Sequence, residues 1–137
     1  MEKATPPNLD DVNLNKIYDT GDKDTKTDIV KVVFVRHGES TWNKCGKFTG
    51  WIDVPLSEGG RQESRDAGKA LKDLGYKFDV AYTSMLDRAI ETCDLILEEM
   101  GLDNHTDVIK HWKINERHYG SLQGHDKAEA ADFYGKE

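Results

Sequence analysis

Arg36, His37 and Gly38 follow directly on the most apolar stretch of the chain, residues 29–35, so a histidine and an arginine stand where a buried strand is expected to emerge into a loop. Open α/β sheets keep their chemistry outside the carboxyl ends of their strands, and a histidine beside an arginine there points to work on an anion. Arg88 stands just inside a helix expected after a second strand, and Glu116, Arg117, His118 and Tyr119 follow a third. Asn43, in the loop after the first strand, has an amide donor to offer. These pieces suit phosphoryl transfer. Arginine presents a planar fork of donors that grips phosphate oxygens and keeps its proton. A neutral imidazole nitrogen can attack phosphorus and leave a phosphohistidine, dividing one transfer into two easier steps. A carboxylate near the arginines can exchange protons with a substrate hydroxyl. Glu116 is the first candidate for that role, while Glu39, so close to the strand end, also suits a structural one.

Other chemistries find less support. His105, His111, His118 and His125 are scattered without a zinc-ligand spacing, so no metal is expected. Gly59 and Gly60 lack the order of a phosphate loop, and no GxSxG elbow occurs. Trp42, Trp51 and Trp112 read as packing anchors, and Lys69, Lys72 and Lys77 as a solvated face. On spacing alone Lys127 reads as a surface lysine.

The elements that must position these residues alternate between strand and helix. Residues 29–35 are nearly continuously apolar and β-branched, the pattern of a central parallel strand covered on both faces. A helix is expected over residues 57–74, capped by Ser57, with Ala67, Ala70, Leu71 and Leu74 on its packing face and Gly75 permitting the exit. A strand over residues 78–82 ends in Thr83 and Ser84, and Ser84 with Asp87 resembles a capping pair. Leu86, Ala89, Ile90, Cys93, Ile96, Leu97 and Met100 then keep a helical stripe until Gly101. A short strand around Val108 and Ile109 and a short helix over residues 126–134 complete the order. The fold class expected is α/β: an open, mostly parallel sheet flanked by helices.

The 137 residues fit one modest domain, and 33% charged against 36% hydrophobic residues describe a globular chain with a charged surface. A formal charge of -7 argues against nucleic acid as a partner. No apolar run is long enough to span a membrane, and the polar N-terminus is no signal peptide, so a cytoplasmic protein with Cys45 and Cys93 as reduced thiols is expected, Cys93 in a core. Residues 1–28 are polar, with Pro6 and Pro7 and a mixed charge run, and read as a flexible extension or a partner-binding tail.

With these residues in place the chain resembles the cofactor-dependent phosphoglycerate mutases of the histidine phosphatase superfamily. The resemblance opens at Val35-Arg36-His37-Gly38-Glu39-Ser40-Thr41-Trp42-Asn43 and continues through Phe48-Thr49-Gly50-Trp51, Asp53 and Leu56-Ser57-Glu58. It goes on through Ala81-Tyr82-Thr83-Ser84 and Arg88-Ala89-Ile90 to Asn115-Glu116-Arg117-His118-Tyr119-Gly120, the most specific block, and then to Lys127. Residues 29–137 would thus be the N-terminal part of a mutase-like, histidine-phosphatase-like catalytic domain, apparently truncated. The resemblance implies that His37 is the phosphorylated nucleophile, primed by 2,3-bisphosphoglycerate without a metal. It implies that Arg36 and Arg88 hold the phosphoryl group with help from Asn43, and that Glu116 is the general acid/base. Ser40, Thr49 and Gly50 match positions lining the pocket; Arg117, Tyr119 and Lys127 match positions that place the substrate, which moves Lys127 from surface residue to site residue.

The activity implied is interconversion of 3-phosphoglycerate and 2-phosphoglycerate, small phosphorylated three-carbon acids, by a homo-oligomer. Bisphosphoglycerate mutase shares much of the pattern, but Ser40 and Phe48-Thr49-Gly50-Trp51 favour the glycolytic form, and phosphatases of the superfamily usually lack the block at residues 115–120. Members of the family also carry, beyond the matched blocks, a second histidine in a Gly-His-Gly-type motif opposite the first. No such motif occurs here, so this exact polypeptide is expected to be nearly inactive by itself. A truncated, non-catalytic interaction protein is the contrasting expectation.

Overall fold

The computed structural model describes residues 30–135, and these divide into two units between Val35 and Arg36. The expected extension, residues 1–28, and Ile29 lie outside the described residues. In the first unit the expected central strand is not formed. Residues 30–35 have no regular secondary structure, and Val32 and Phe34 are 66% and 93% exposed. An apolar, β-branched run becomes a parallel strand only when neighbouring strands supply its ladder and helices cover its faces. The sheet among the described residues has two strands, both in the second unit.

The second unit contains, in order, α1 (Thr41–Lys44), α2 (Glu58–Asp73), β1 (Val80–Thr83), α3 (Asp87–Met100), β2 (Asp107–Lys110) and α4 (Lys127–Tyr134), with 3-10 turns at Trp112–Ile114 and Gly120–Leu122. β1 and β2 are parallel, with Val80 opposite Asp107 and Thr83 opposite Lys110, and α3 makes the crossover between them. The unit is an open α/β sheet flanked by helices, as the sequence predicts.

α3 starts at Asp87, and Gly101 ends it in the left-handed conformation at φ 72°. Its start corrects one expectation. Ser84 does not cap the helix with Asp87; its hydroxyl accepts from the Leu86 N–H, and the carboxylate of Asp53, from a distant loop, accepts from the Asp87 N–H at 2.8 Å. The core gathers Leu95, Ile96, Leu97 and Met100 of this helix with Leu86, Val54 and Leu56. Cys93, expected in a core, is only half-buried.

α2 runs as predicted from its Ser57 cap, whose hydroxyl accepts from the Gly60 N–H at 3.0 Å. The face it buries is different from the one expected. Gly60, Ser64 and Gly68 are buried, whereas Ala70 is exposed and Leu74 is 73% exposed. Small residues four apart let two helix backbones approach closely, and a methyl group at Gly68 would stand 2.8 Å from the Ile96 carbonyl oxygen of α3. Close backbone approach here outweighs the burial of the larger side chains. α4, at residues 127–134, is capped by the Asp126 carboxylate, which accepts from the Ala128 N–H at 2.8 Å. No helix among the described residues is long and apolar enough to cross a membrane.

Candidate active site

His37 stands at the start of the second unit, and backbone packing fixes the loop that carries it. A methyl group at Gly38 would lie 2.2 Å from the Gly60 carbonyl oxygen, so only glycine lets this loop rest on α2. The His37 Nδ1 meets the Gly38 carbonyl at 2.7 Å. A carbonyl can only accept, so Nδ1 carries the hydrogen and the lone pair of the neutral ring is on Nε2. The pKa of His37 is lowered, first by burial, which the bond to the Gly38 carbonyl partly opposes. The positive charges of Arg88 and Arg36 lower it further, and Glu116 raises it. The imidazole is held in the form that has a lone pair to give.

The loop continues into α1, a single turn with a reciprocal cap. The Ser40 hydroxyl accepts from the Asn43 N–H at 3.1 Å, and the Asn43 side-chain oxygen accepts from the Ser40 N–H at 3.1 Å. Ser40 is fully buried, so its hydroxyl serves this cap. The acceptor end of the Asn43 amide is likewise engaged, which leaves its NH2 as the donor it can offer.

Arg88, in the first turn of α3, is fully buried. Its Nη1 donates to the Ile52 carbonyl at 3.1 Å, and Nη2 donates to the Gly50 carbonyl at 2.7 Å and to the Glu116 carboxylate at 2.8 Å. The buried Nε–H of Arg88 and the buried Thr49 hydroxyl have no partner among the described residues. A buried donor without an acceptor is costly, so both favour an incoming anion or polar group.

Glu116 is held from behind by Trp51, whose indole N–H donates to the Glu116 backbone carbonyl at 2.6 Å. The Trp51 ring meets His118 edge-on with centroids 5.7 Å apart. The Gln123 side-chain oxygen accepts from the backbone N–H of Trp51 at 2.8 Å and lies against Gly50, whose φ of 58° suits glycine. Tyr119 also lies close to Gly50, and its ring is 5.2 Å from that of Phe48. Arg117 and Lys127 are exposed; the first lies over the Tyr119 ring at 4.7 Å and the second over the Phe48 ring at 5.7 Å.

The structure therefore brings His37, Arg36, Arg88 and Glu116 into one electrostatic cluster. Gly50 touches it through Arg88, and Tyr119 lies on Gly50. Arg117 borders the cluster, bonded to Tyr119 and in the field of Glu116, whereas Lys127 is tied to the Phe48 ring. Residues missed by sequence reasoning are Thr92, whose hydroxyl accepts from the Gly38 N–H at 3.1 Å, Asp53 as a cap, and Trp51 and Gln123 as supports. A threonine four residues after Arg88 on the same helix was the available signal for the first. Among the described residues no group of three or more histidine, cysteine, aspartate and glutamate side chains could hold a metal ion.

Comparison with known proteins identifies the family. Residues 32–137 match the family model described as histidine phosphatase superfamily (branch 1). Among solved structures, phosphoglycerate mutase from Bacillus anthracis str. Sterne is 32% identical with a TM-score of 0.65, over 71% of this chain and 41% of that one. Mycobacterial glucosyl-3-phosphoglycerate phosphatase is 28% identical with a TM-score of 0.63, over 72% and 44%. Phosphoserine phosphatase from Entamoeba histolytica, solved with 3-phosphoglyceric acid, is 30% identical with a TM-score of 0.59, over 74% and 45%. The chain thus spans less than half the length of these solved relatives. With this match over most of its length, on an α/β fold of the expected kind, the chain belongs to branch 1 of the histidine phosphatase superfamily.

Proposed function

We propose that the protein is a 2,3-bisphosphoglycerate-dependent phosphoglycerate mutase, interconverting 3-phosphoglycerate and 2-phosphoglycerate through a phosphorylated His37. The observation that carries this reading is the geometry: His37 with Nδ1 held on the Gly38 carbonyl at 2.7 Å, and the buried Arg88 bonded to the Glu116 carboxylate at 2.8 Å. The resemblance of residues 115–120 and the likeness to a phosphoglycerate mutase support the mutase form over the other activities of the superfamily.

His37 Nε2 offers its lone pair to the phosphorus, while Nδ1–H stays on the Gly38 carbonyl and fixes the tautomer. Arg88 and Arg36 hold the phosphoryl oxygens, and the unpartnered Arg88 Nε–H and Thr49 hydroxyl are donors already desolvated for that purpose. Glu116 passes a proton to and from the substrate hydroxyl. Its bond to Arg88 couples the proton carrier to the phosphate clamp. Asn43 adds its amide NH2, with Ser40 holding Asn43 in place. Gly50 lets the chain pass close to Tyr119, and Arg117, Tyr119 and Lys127 attract and orient the substrate carboxylate. The buried, unpartnered donors fit a polyanion, and 2,3-bisphosphoglycerate, when bound, supplies the phosphoryl group that primes His37. Assembly as a cytoplasmic homo-oligomer belongs to the same proposal.

A second reading, hydrolysis of a phosphorylated glycerate or serine ester, is favoured by the similarity to two phosphatases. Incubating the full-length protein with 3-phosphoglycerate and a trace of 2,3-bisphosphoglycerate separates the two. Formation of 2-phosphoglycerate, lost in His37→Ala, is the expected outcome. Release of inorganic phosphate alone would install the phosphatase, and turnover that survives His37→Ala would remove both.

A further inference from the structure

We propose that Thr92 is a positioning residue that fixes the His37 ring to the turn carrying Arg88. Thr92 is buried, at 4% exposure, and lies one turn after Arg88 on α3. Its hydroxyl donates to the Arg88 carbonyl at 2.8 Å and accepts from the Gly38 N–H at 3.1 Å, across 54 residues of chain. Gly38 is thereby committed at both ends. Its N–H is held by Thr92, and its carbonyl holds the His37 Nδ1–H. The orientation of the imidazole is thus referred, through one glycine, to the helix that presents Arg88.

The residue type suits the task. A β-branched side chain has few χ1 choices, and a threonine hydroxyl bonded to the carbonyl one turn back has fewer. Its two lone pairs are then aimed at fixed places, toward the Gly38 N–H and toward the Ser64 hydroxyl, 3.3 Å away. Gly38 has no room to drift toward α2, because the Gly60 carbonyl and the Ser64 hydroxyl fill the space beside it. Valine would keep the shape of threonine while removing both the donor and the acceptor, and would leave a buried N–H unpaired.

The inference rests on reading His37 as the phosphoryl acceptor, but its first test does not depend on that reading. Thr92→Val and Thr92→Ser are compared by NMR with Thr106→Val, which removes another buried threonine hydroxyl, one bonded to the Phe78 carbonyl. In Thr92→Val the Gly38 amide should exchange about tenfold faster or more, as expected for loss of one buried hydrogen bond, and the His37 titration should move away from its wild-type position as the bond to the Gly38 carbonyl loosens. Thr92→Ser should retain most of both properties. Thr106→Val should lose stability without moving the His37 titration.

An equal shift of His37 in Thr106→Val would overturn the proposal, because general loosening would then explain it. An unchanged His37 in a folded Thr92→Val would overturn it as well. Should Thr92→Val not fold, the native protein decides: a Gly38 amide that exchanges as fast as unbonded loop amides ends the idea, and a protected one sustains it. Phosphorylation of His37 by 2,3-bisphosphoglycerate is followed in parallel. Its absence in the wild type would count against the proposed function and leave the anchoring result intact.

Discussion

Burial and the two nearby guanidinium groups set the behaviour of His37, and both act against the imidazolium. The folded pKa therefore lies below the unfolded one. The unfolded chain binds more protons in the window between the two values, so His37 lowers stability as pH falls through it. The effect begins near the ordinary imidazole value of about 6.5 and is complete below the folded value. Urea unfolding of the wild type and His37→Gln at steps from neutral to mildly acidic pH checks this. The wild type should lose stability more steeply; parallel curves would mean that His37 is not shifted in the native state. The same shift keeps the Nε2 lone pair available, so under the proposed function phosphoryl acceptance should persist to lower pH than for a free histidine.

Small residues decide how the elements carrying the site fit together. Gly60, Ser64 and Gly68 line one face of α2, and the backbone of the His37 loop and that of α3 come directly against it. Replacing a helical glycine by alanine normally gains about 1 kcal/mol of helix propensity. Here the added methyl would meet the Glu39 carbonyl oxygen at 2.1 Å from position 60, and the Ile96 carbonyl oxygen at 2.8 Å from position 68. Overpacking of this kind costs about 1–3 kcal/mol, and main chain cannot move aside as a side chain can. Gly60→Ala should therefore be net destabilising, and more so than Gly68→Ala, because it also displaces the His37 loop. Denaturant midpoints measure the order, and a stabilised Gly60→Ala would show that the loop yields freely.

Among the described residues of the second unit, apolar side chains of β1 are left exposed. Alternate residues of β1 point to one face, and Val80 and Tyr82 are 37% and 47% exposed there. β1 is bonded only to β2, so one of its edges carries free backbone groups among the described residues. An open edge beside apolar side chains is a template for association. The 137-residue chain should self-associate with rising concentration in sedimentation runs, and the double substitution Val80→Lys with Tyr82→Lys should suppress this without lowering the urea midpoint. A monomer at all concentrations would show that the edge is already protected.

Local chemistry was enough to find α3, α2 and α4, because stripe, cap and terminal glycine are properties of short segments. It also nominated His37, Arg36, Arg88 and Glu116, since residue types that bind anions and move protons can be recognised before their distances are known; their roles belong to the proposed function. Local pattern misread residues 30–35, because a strand exists only through its neighbours, and no apolar run contains them. It misassigned the buried face of α2, because hydrophobicity ranks leucine above glycine while two backbones in contact reverse that order. Tertiary structure alone decided that Asp53 caps α3 and that Trp51 supports Glu116. It also decided that Thr92 joins Gly38 to the Arg88 turn, because each of these is a hydrogen bond between groups 34 to 65 residues apart, and no local spacing encodes such a meeting.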